Sequence, residues 1–238
     1  PTATSVAMCG NATSEPMDKP NPTPLSHKAI LPEPTLSRLP WYLSYVSQLR
    51  AKGVEYVSST AISKAIGVDA SQIAKDLSHI SLRGKTRIGY DVASLEATLV
   101  NFLGFTRVHK AVIVGVGSLG SALIADSGLA RFGLNIEAGF DINPKVVGTR
   151  ICNVPVLHIS QLDEWRRRLG AEIGVVTVPA DKAQDTADTL VKAGVKAIWN
   201  FAPCRLHVQP GIVVQDTSIY AHLAVMYNRL SLLPQSNK

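Results

Sequence analysis

Three spaced glycines and an acid that closes the next apolar run are the residues here best suited to hold a ligand. Gly115, Gly117 and Gly120 follow directly on four apolar residues, 111–114, and a helical pattern opens at Ser118. A second apolar run, 136–140, ends on Asp141. Strand, glycine turn, helix and acid-tipped strand, in that order, are what a dinucleotide site needs. The first glycine makes the tight turn, the second lets pyrophosphate approach the backbone, and the third lets helix and strand pack closely. The helix start then offers its unpaired amides to the phosphates. Gly115, Val116, Gly117, Ser118, Leu119 and Gly120 are therefore candidate pyrophosphate residues. Asp141, with Ile142 beside it, is a candidate ribose site, and an acid there favours NAD over NADP. The competing reading of the same residues is a turn whose glycines serve packing alone.

The elements that would position these residues alternate. Strand patterns at 111–114, 136–140, 154–156, 173–178, 197–199 and 212–214 are interleaved with helical patterns at 118–132, 160–169 and 180–193. This predicts a doubly wound parallel sheet of the Rossmann type, an α/β fold. Ligands on such sheets bind at the carboxyl ends of the strands. That adds Thr177, Val178, Pro179 and Ala180 at one strand end, and Asn200 and Phe201 at another. Thr177 and Asn200 either contact ribose or nicotinamide, or satisfy backbone groups in their own loops.

The segment before this sheet has a different character. Leu39, Leu43, Val46 and Leu49 share a helical face closed by Gly53, and Pro40 suits a first helical turn. Ser58 and Ser59 are N-cap candidates for a short helix over 60–66, and Gly67 turns the chain. Asp69 with Gln72 has the spacing of a capping box for a helix over 70–80 that buries Ile73, Leu77 and Ile80. Two short helices about a glycine turn predict a helix-turn-helix, whose second helix enters the major groove. Ser71, Gln72 and Lys75 are its candidate base readers, with Ser59 on the preceding helix. Residues 81–90 read as a basic hairpin, a wing with Gly84 near its tip, on which Arg83, Lys85 and Arg87 would lie along phosphates or probe the minor groove. A further amphipathic helix, 91–104, turns Leu95, Leu99 and Phe102 or Leu103 inward. The whole is a winged-helix domain over residues 36–106, followed by the nucleotide domain over 107–215.

Charge and composition agree with a polyanion partner. The 238-residue chain carries a net charge of +6, and nine Lys or Arg stand against five acids between residues 38 and 109. Hydrophobic residues make up 46%, enough for a real core, yet no apolar run approaches the roughly 18 residues a membrane span requires. Cys9, Cys152 and Cys204 are too few and too scattered for a disulfide framework or a zinc site, which points to the cytoplasm. Residues 1–35, rich in Pro, Ser and Thr, read as a disordered tail without a signal peptide. The chain closes with a helix over 218–232 in a segment 216–238. Ile219, Leu223, Met226 and Leu230 form its apolar stripe, and Asp216 is a candidate cap. Such a face can cover its own sheet or a second subunit. The two half-sites on which helix-turn-helix proteins usually work favour a second subunit.

These residues resemble the Rex family of redox-sensing repressors from about Leu36 to Leu230. The resemblance is carried by Ser58-Ser59, Gln72-Ile, Lys75-Asp-Leu-Ser78, Gly89-Tyr90, Gly115-Val-Gly-Ser-Leu-Gly120 and Phe140-Asp141. Val178-Pro179-Ala180 with Ala183-Gln184, and Asn200-Phe201-Ala-Pro203, complete it. It implies a homodimer with a domain-swapped C-terminal helix that binds palindromic operator DNA. It further implies release of the DNA by NADH and competition by NAD+, in control of fermentation and respiration genes. Several positions depart from the family pattern: Ala74 on the recognition helix, Ser44 on the first helix, Ser118 in the glycine turn, Ser127 near the expected nicotinamide, and Thr86 and Arg87 in the wing. They bear on the operator sequence and on the strength of the NADH response.

Two other functions are compatible with parts of the chain. An NAD-dependent dehydrogenase would need an acid or base beside the nicotinamide. His109, His158, His207 and His222 show no carboxylate partner in the sequence, and Cys204 shows no activating base. A nucleotide- or CoA-binding module that works only with a partner is the third reading. No catalytic residue and no metal ligand is assigned.

Overall fold

The computed structural model describes residues 31–233. Residues 1–30 and 234–238, with most of the expected tail and the end of the C-terminal segment, lie outside the described residues. The chain starts with α1 (Glu33–Ala51), β1 (Tyr56–Val57), α2 (Ser59–Ile66), α3 (Ala70–Ser78), β2 (Tyr90–Asp91) and α4 (Val92–Phe102). The apolar faces close on one another as their spacing requires: Leu39, Tyr42, Val46, Ile62, Ile73, Leu77, Leu95 and Leu99 are fully buried in one cluster. A two-stranded pairing, Tyr56 with Asp91 and Val57 with Tyr90, ties the two ends of this unit. That pairing is too short to leave a periodic signal.

Helix α1 begins at Glu33, three residues before the expected domain start at 36, so the expected tail does not reach residue 35. Pro32 and Pro34 flank its start, and Pro40 lies inside the helix rather than in its first turn. The reason lies in α3. Asp76 is fully buried there, and a buried carboxylate is tolerated only when paired and hydrogen-bonded. Arg38 donates to it twice, at 2.7 and 2.9 Å, Tyr42 once at 2.8 Å, and Thr35 once at 3.1 Å. Gln72 adds a bond at 2.8 Å from within α3. Three residues of α1 are thus held on the second helix of the helix-turn-helix, and Thr35 fixes the first turn.

The second half is a seven-stranded sheet in the order β5-β6-β4-β3-β7-β8-β9. Its strands are β3 (His109–Val114), β4 (Leu134–Asp141), β5 (Arg150–Ile151), β6 (Val154–His158), β7 (Ile173–Val176), β8 (Ala197–Asn200) and β9 (Val213–Asp216). All neighbours are parallel except β5 with β6. Without β5 this is the Rossmann order, with the reversal beside β3. Alternate residues of β3 face opposite layers. Val112 and Val114 meet α7 (Leu162–Leu169) and α8 (Ala180–Lys192) through Leu162, Ala183, Ala187 and Leu190. Ala111 and Ile113 meet the other layer with Val116 and Ile124.

The helix expected over 118–132 is two: α5 (Ser118–Ala125) and α6 (Ser127–Arg131). Asp126 between them is extended, and its side chain caps α6 by accepting from the Gly128 amide at 2.9 Å. Asp216 also differs from expectation. It ends β9, and Ser218 caps the last helix, α9 (Ile219–Ser231), by accepting from the Ala221 amide at 3.1 Å. No residue of α9 is buried, and Tyr220, Val225, Met226, Tyr227 and Leu230 are exposed. The helix does not cover its own sheet.

Burial works against ionisation of Asp76, but the hydrogen bonds from Arg38, Tyr42 and Gln72 and the Arg38 charge outweigh it and hold the group at about 2, below its ordinary 3.8. Burial and the same carboxylate push Tyr42 up to about 12. A carboxyl depressed on folding contributes stability above its unfolded pKa and loses it as pH falls through the folded one. Asp76→Asn is therefore expected to cost about 3 kcal/mol at neutral pH, as for a broken buried pair. Urea melts of the two proteins should show the gap constant down to about pH 4 and narrowing toward pH 2.

Candidate functional site

The glycine turn joins β3 to α5. Gly115 has φ +95°, and a Cβ there would lie 2.8 Å from the Thr177 carbonyl carbon and oxygen. A Cβ on Gly120 would lie 2.0 Å from the Gly115 carbonyl oxygen, so the helix abuts the turn. Gly117 has no atom within 4 Å of where its Cβ would be. The three glycines thus divide as the motif requires: two are packed, and one faces open space where a ligand backbone fits. Gly117 is the N-cap of α5 and no side chain caps the helix. Ser118 is exposed and Leu119 half-buried at its start, while Val116 is buried in the core below.

Two side chains hold this turn from either side. Asp141, at the tip of β4, accepts from the Val116 amide at 2.6 Å and from the Asn143 amide at 2.8 Å. Each carboxylate oxygen keeps a lone pair for a hydroxyl. Thr177 donates its hydroxyl to the Gly115 carbonyl at 2.6 Å, with the Val114 carbonyl at 3.1 Å. Its hydroxyl proton serves the turn. A cleft of about 380 Å³ opens here, lined by Gly115, Gly117, Asp141, Ile142, Thr177, Val178 and Pro179. Lys182, Asp185, Thr186 and Thr189 of α8, with Ile159, complete the lining. The first four were missed, although their spacing is a helical stripe that adjoins the buried face of Ala183, Ala187 and Leu190.

Ala180, exposed at the start of α8, lies beside this lining without being part of it. Asn200 and Phe201 also stand apart. Asn200 is buried; it donates to the Cys204 carbonyl and to Asp216, both at 2.8 Å, and accepts from the Ala202 amide at 3.0 Å. Its amide satisfies its own loop, the second of the two roles expected. The Phe201 ring lies 4.6 Å from that of Trp199 and packs against the layer that holds Val116. An open glycine, a helix start without a side-chain cap and an acid on the turn fit an adenine dinucleotide.

On the helix-turn-helix, Asp69 caps α3 by accepting from the Ser71 and Gln72 amides at 2.8 and 3.4 Å. The Ser71 hydroxyl, then these amides, keep its carboxyl below its ordinary pKa. The other half of the capping box is absent, because the Gln72 side chain turns to Asp76 instead. One of the two Nε2 protons of Gln72 is thereby taken up by Asp76. Ser71, Ala74, Lys75 and Ser78 form the exposed outer face. Asp76 itself was overlooked as a structural residue, though it falls on the stripe of Ile73, Leu77 and Ile80.

The wing is shorter than a hairpin of strands. Lys85 and Gly89 exchange two backbone bonds of 2.8 Å around Thr86, Arg87 and Ile88. Arg87, with φ +66°, sits at the tip, and Gly84 lies against the Tyr90 ring instead. Lys85 and Arg87 share a groove of about 340 Å³ with Ser58 and Ser59 at the start of α2. Arg83 is exposed outside it. The arrangement places two cations against a helix N-terminus, a good seat for a phosphate.

The family described as "Putative DNA-binding protein N-terminus" matches residues 30–78, and that described as "CoA binding domain" matches residues 106–204. The redox-sensing transcriptional repressor Rex of Porphyromonas gingivalis is 58% identical over 204 residues, 86% of this chain and 94% of its own. That of Bacteroides fragilis is 57% identical over 201 residues, 84% and 91% of the two chains. Among solved structures, RSP in complex with β-NAD+ and operator DNA is similar at TM-score 0.81 and 34% identity, covering 85% of this chain and 94% of its own. RSP in complex with β-NADH is similar at TM-score 0.77, with the same identity and 85% and 95% covered. With the fold and the glycine turn in place, this degree of identity over nearly the whole described chain shows that it belongs to the Rex family of redox-sensing transcriptional repressors.

Proposed function

We propose that this chain is a cytoplasmic transcriptional repressor that grips operator DNA as a homodimer and lets go when NADH fills its cleft. The observation that carries the reading is the joining of two built sites in one chain. One is the cleft at Gly117 with Asp141 on the turn; the other combines the exposed face of α3 with the Lys85 and Arg87 groove. Its relatives carry the name of redox-sensing repressors, and a similar chain has been solved with operator DNA and β-NAD+ and again with β-NADH. Residues 36–106 serve the DNA, residues 107–215 the coenzyme, and the segment from 216 the second subunit.

In this reading the amides at 117–119 hold the pyrophosphate and Asp141 the adenosine ribose. Lys75, Ser71, Ser59 and the wing cations Arg83, Lys85 and Arg87 meet the duplex. Gln72 helps hold Asp76 and so sets the angle of α3 rather than reading a base. The exposed apolar stripe of α9 packs on a second copy, which spaces two recognition helices for the two half-sites of a palindrome. The oxidised nicotinamide ring is cationic and the reduced ring neutral, so the two forms differ in their fit to a closed site. A tenfold preference of one subunit arrangement for the reduced form is about 1.4 kcal/mol per site, and two sites make a usable switch.

A gel shift on promoter DNA of the source organism, titrated separately with NADH and NAD+, tests the reading. NADH is expected to release the duplex at concentrations where NAD+ leaves it bound; equal effects of the two forms would remove the sensing role. Calorimetry with NADH, NAD+ and CoA separates the coenzyme class, and binding of CoA in place of NADH would point to the "CoA binding domain" name instead. Asp141→Ala should weaken NADH binding about tenfold or more while duplex affinity in the absence of coenzyme stays the same. Replacement of Lys85 and Arg87 together by Ala should weaken the duplex and flatten its salt dependence by about two counterions.

A further inference from the structure

The carboxyl ends of five strands are tied in a single row that starts at the glycine turn and ends at the hinge of α9. The register sets Phe140, Val114, Val176, Asn200 and Asp216 side by side. One residue further on, each of the four strands after β4 in the row donates back to its neighbour. The amide of Gly115 donates to the Phe140 carbonyl at 2.8 Å, and that of Thr177 to Val114 at 3.0 Å. The amide of Phe201 donates to Val176 at 2.9 Å, and that of Thr217 to Asn200 at 2.8 Å. Side chains reinforce both ends. Asp141 and Thr177 clamp the turn. At the far end Asn200 donates to Asp216 at 2.8 Å, and the Trp199 indole donates to the Thr217 hydroxyl at 2.9 Å.

The far end has a mechanical consequence. Helix α9 starts two residues after Thr217 and has no buried residue, so within one subunit the side-chain bonds at Asp216 and Thr217 tie its start to the sheet. Both side-chain donors at that hinge connect inward. Asn200 is almost wholly buried, and its remaining bonds fix the loop after β8. Trp199, with Phe201, packs against the layer that contains Val116 of the glycine turn and Ile124 of α5. Trp199 and Phe201 thus share one apolar layer with the glycine turn and α5, which links the hinge to the cleft.

We propose that Asn200 and Trp199 are positioning residues of the sensing response, which pass the state of the cleft to the direction of α9 through Asp216 and Thr217. This rests on the repressor reading above. Among the described residues no side-chain hydrogen bond joins Asp216, Thr217, Asn200 or Trp199 to the lining of the cleft or to the helix-turn-helix, so loss of the hinge separates transmission from binding.

The test uses the full-length dimer and a palindromic duplex enriched from a random pool by the unaltered protein. Asp216→Ala and Thr217→Val are combined to remove both side-chain ties, while Thr217→Ser keeps the hydroxyl. Duplex affinity is measured with and without saturating NADH, NADH affinity by calorimetry, and the oligomer by gel filtration. In the unaltered protein NADH should weaken duplex binding by about tenfold or more. The double variant should stay dimeric and keep both separate affinities within about threefold, yet lose most of the NADH effect, while Thr217→Ser responds in full. A full response in the double variant overturns the proposal, as does loss of the dimer or of either affinity. An NADH effect missing already from the unaltered protein overturns the sensor reading, and this inference with it.

Discussion

The carbonyl of Gly115 is the point on which the second half of the chain is organised. It is crowded by α5 at Gly120, it accepts the Thr177 hydroxyl, and its residue's amide is bonded to β4. Asp141 grips the next amide. No larger residue fits at Gly115 or Gly120, because a single added carbon would meet backbone at 2.8 or 2.0 Å. A turn clamped on both sides keeps its outward amides fixed in direction. Fixed donors bind a phosphate without first being ordered, which is why the helix start works as an anion seat.

The DNA-facing half solves a comparable problem by a different means. A helix of nine residues is marginal alone and takes its stability from packing. Here the apolar stripe of α3 is interrupted by a carboxylate, and five hydrogen bonds converge on it, four from α1. The cost of burying a charge is offset only in one geometry, so the pairing defines the angle between α1 and α3 more narrowly than apolar contact would. Arg38 is half of that pairing, which takes it out of the cations available to the duplex.

Much of this was legible from residue types and spacing. The glycine triplet, the acid at the end of the second strand and the alternation of strand and helix describe the sheet and its cleft, and apolar periodicity placed the helices of the first core. What escaped was decided by contacts between distant residues. Whether Thr177 or Asn200 faces a ligand or its own loop depends on where neighbouring strands end. Gln72 has the spacing of a capping residue, but a buried carboxylate one turn away competes for its amide. The β5–β6 turn runs through Cys152 and Asn153, both with positive φ, and Cys is not a residue that announces such a turn. Asp126 was read as one more position in a helix, when its side chain ends one helix and caps the next.

Coenzyme and DNA act on one equilibrium if the two sites belong to one switch, and linkage then makes their effects reciprocal. The direct measurement is NADH affinity, by calorimetry, for the dimer alone and for the dimer saturated with its duplex. The account predicts weaker NADH binding on DNA, by the same factor by which NADH weakens the duplex. Identical NADH affinity in the two states would contradict it.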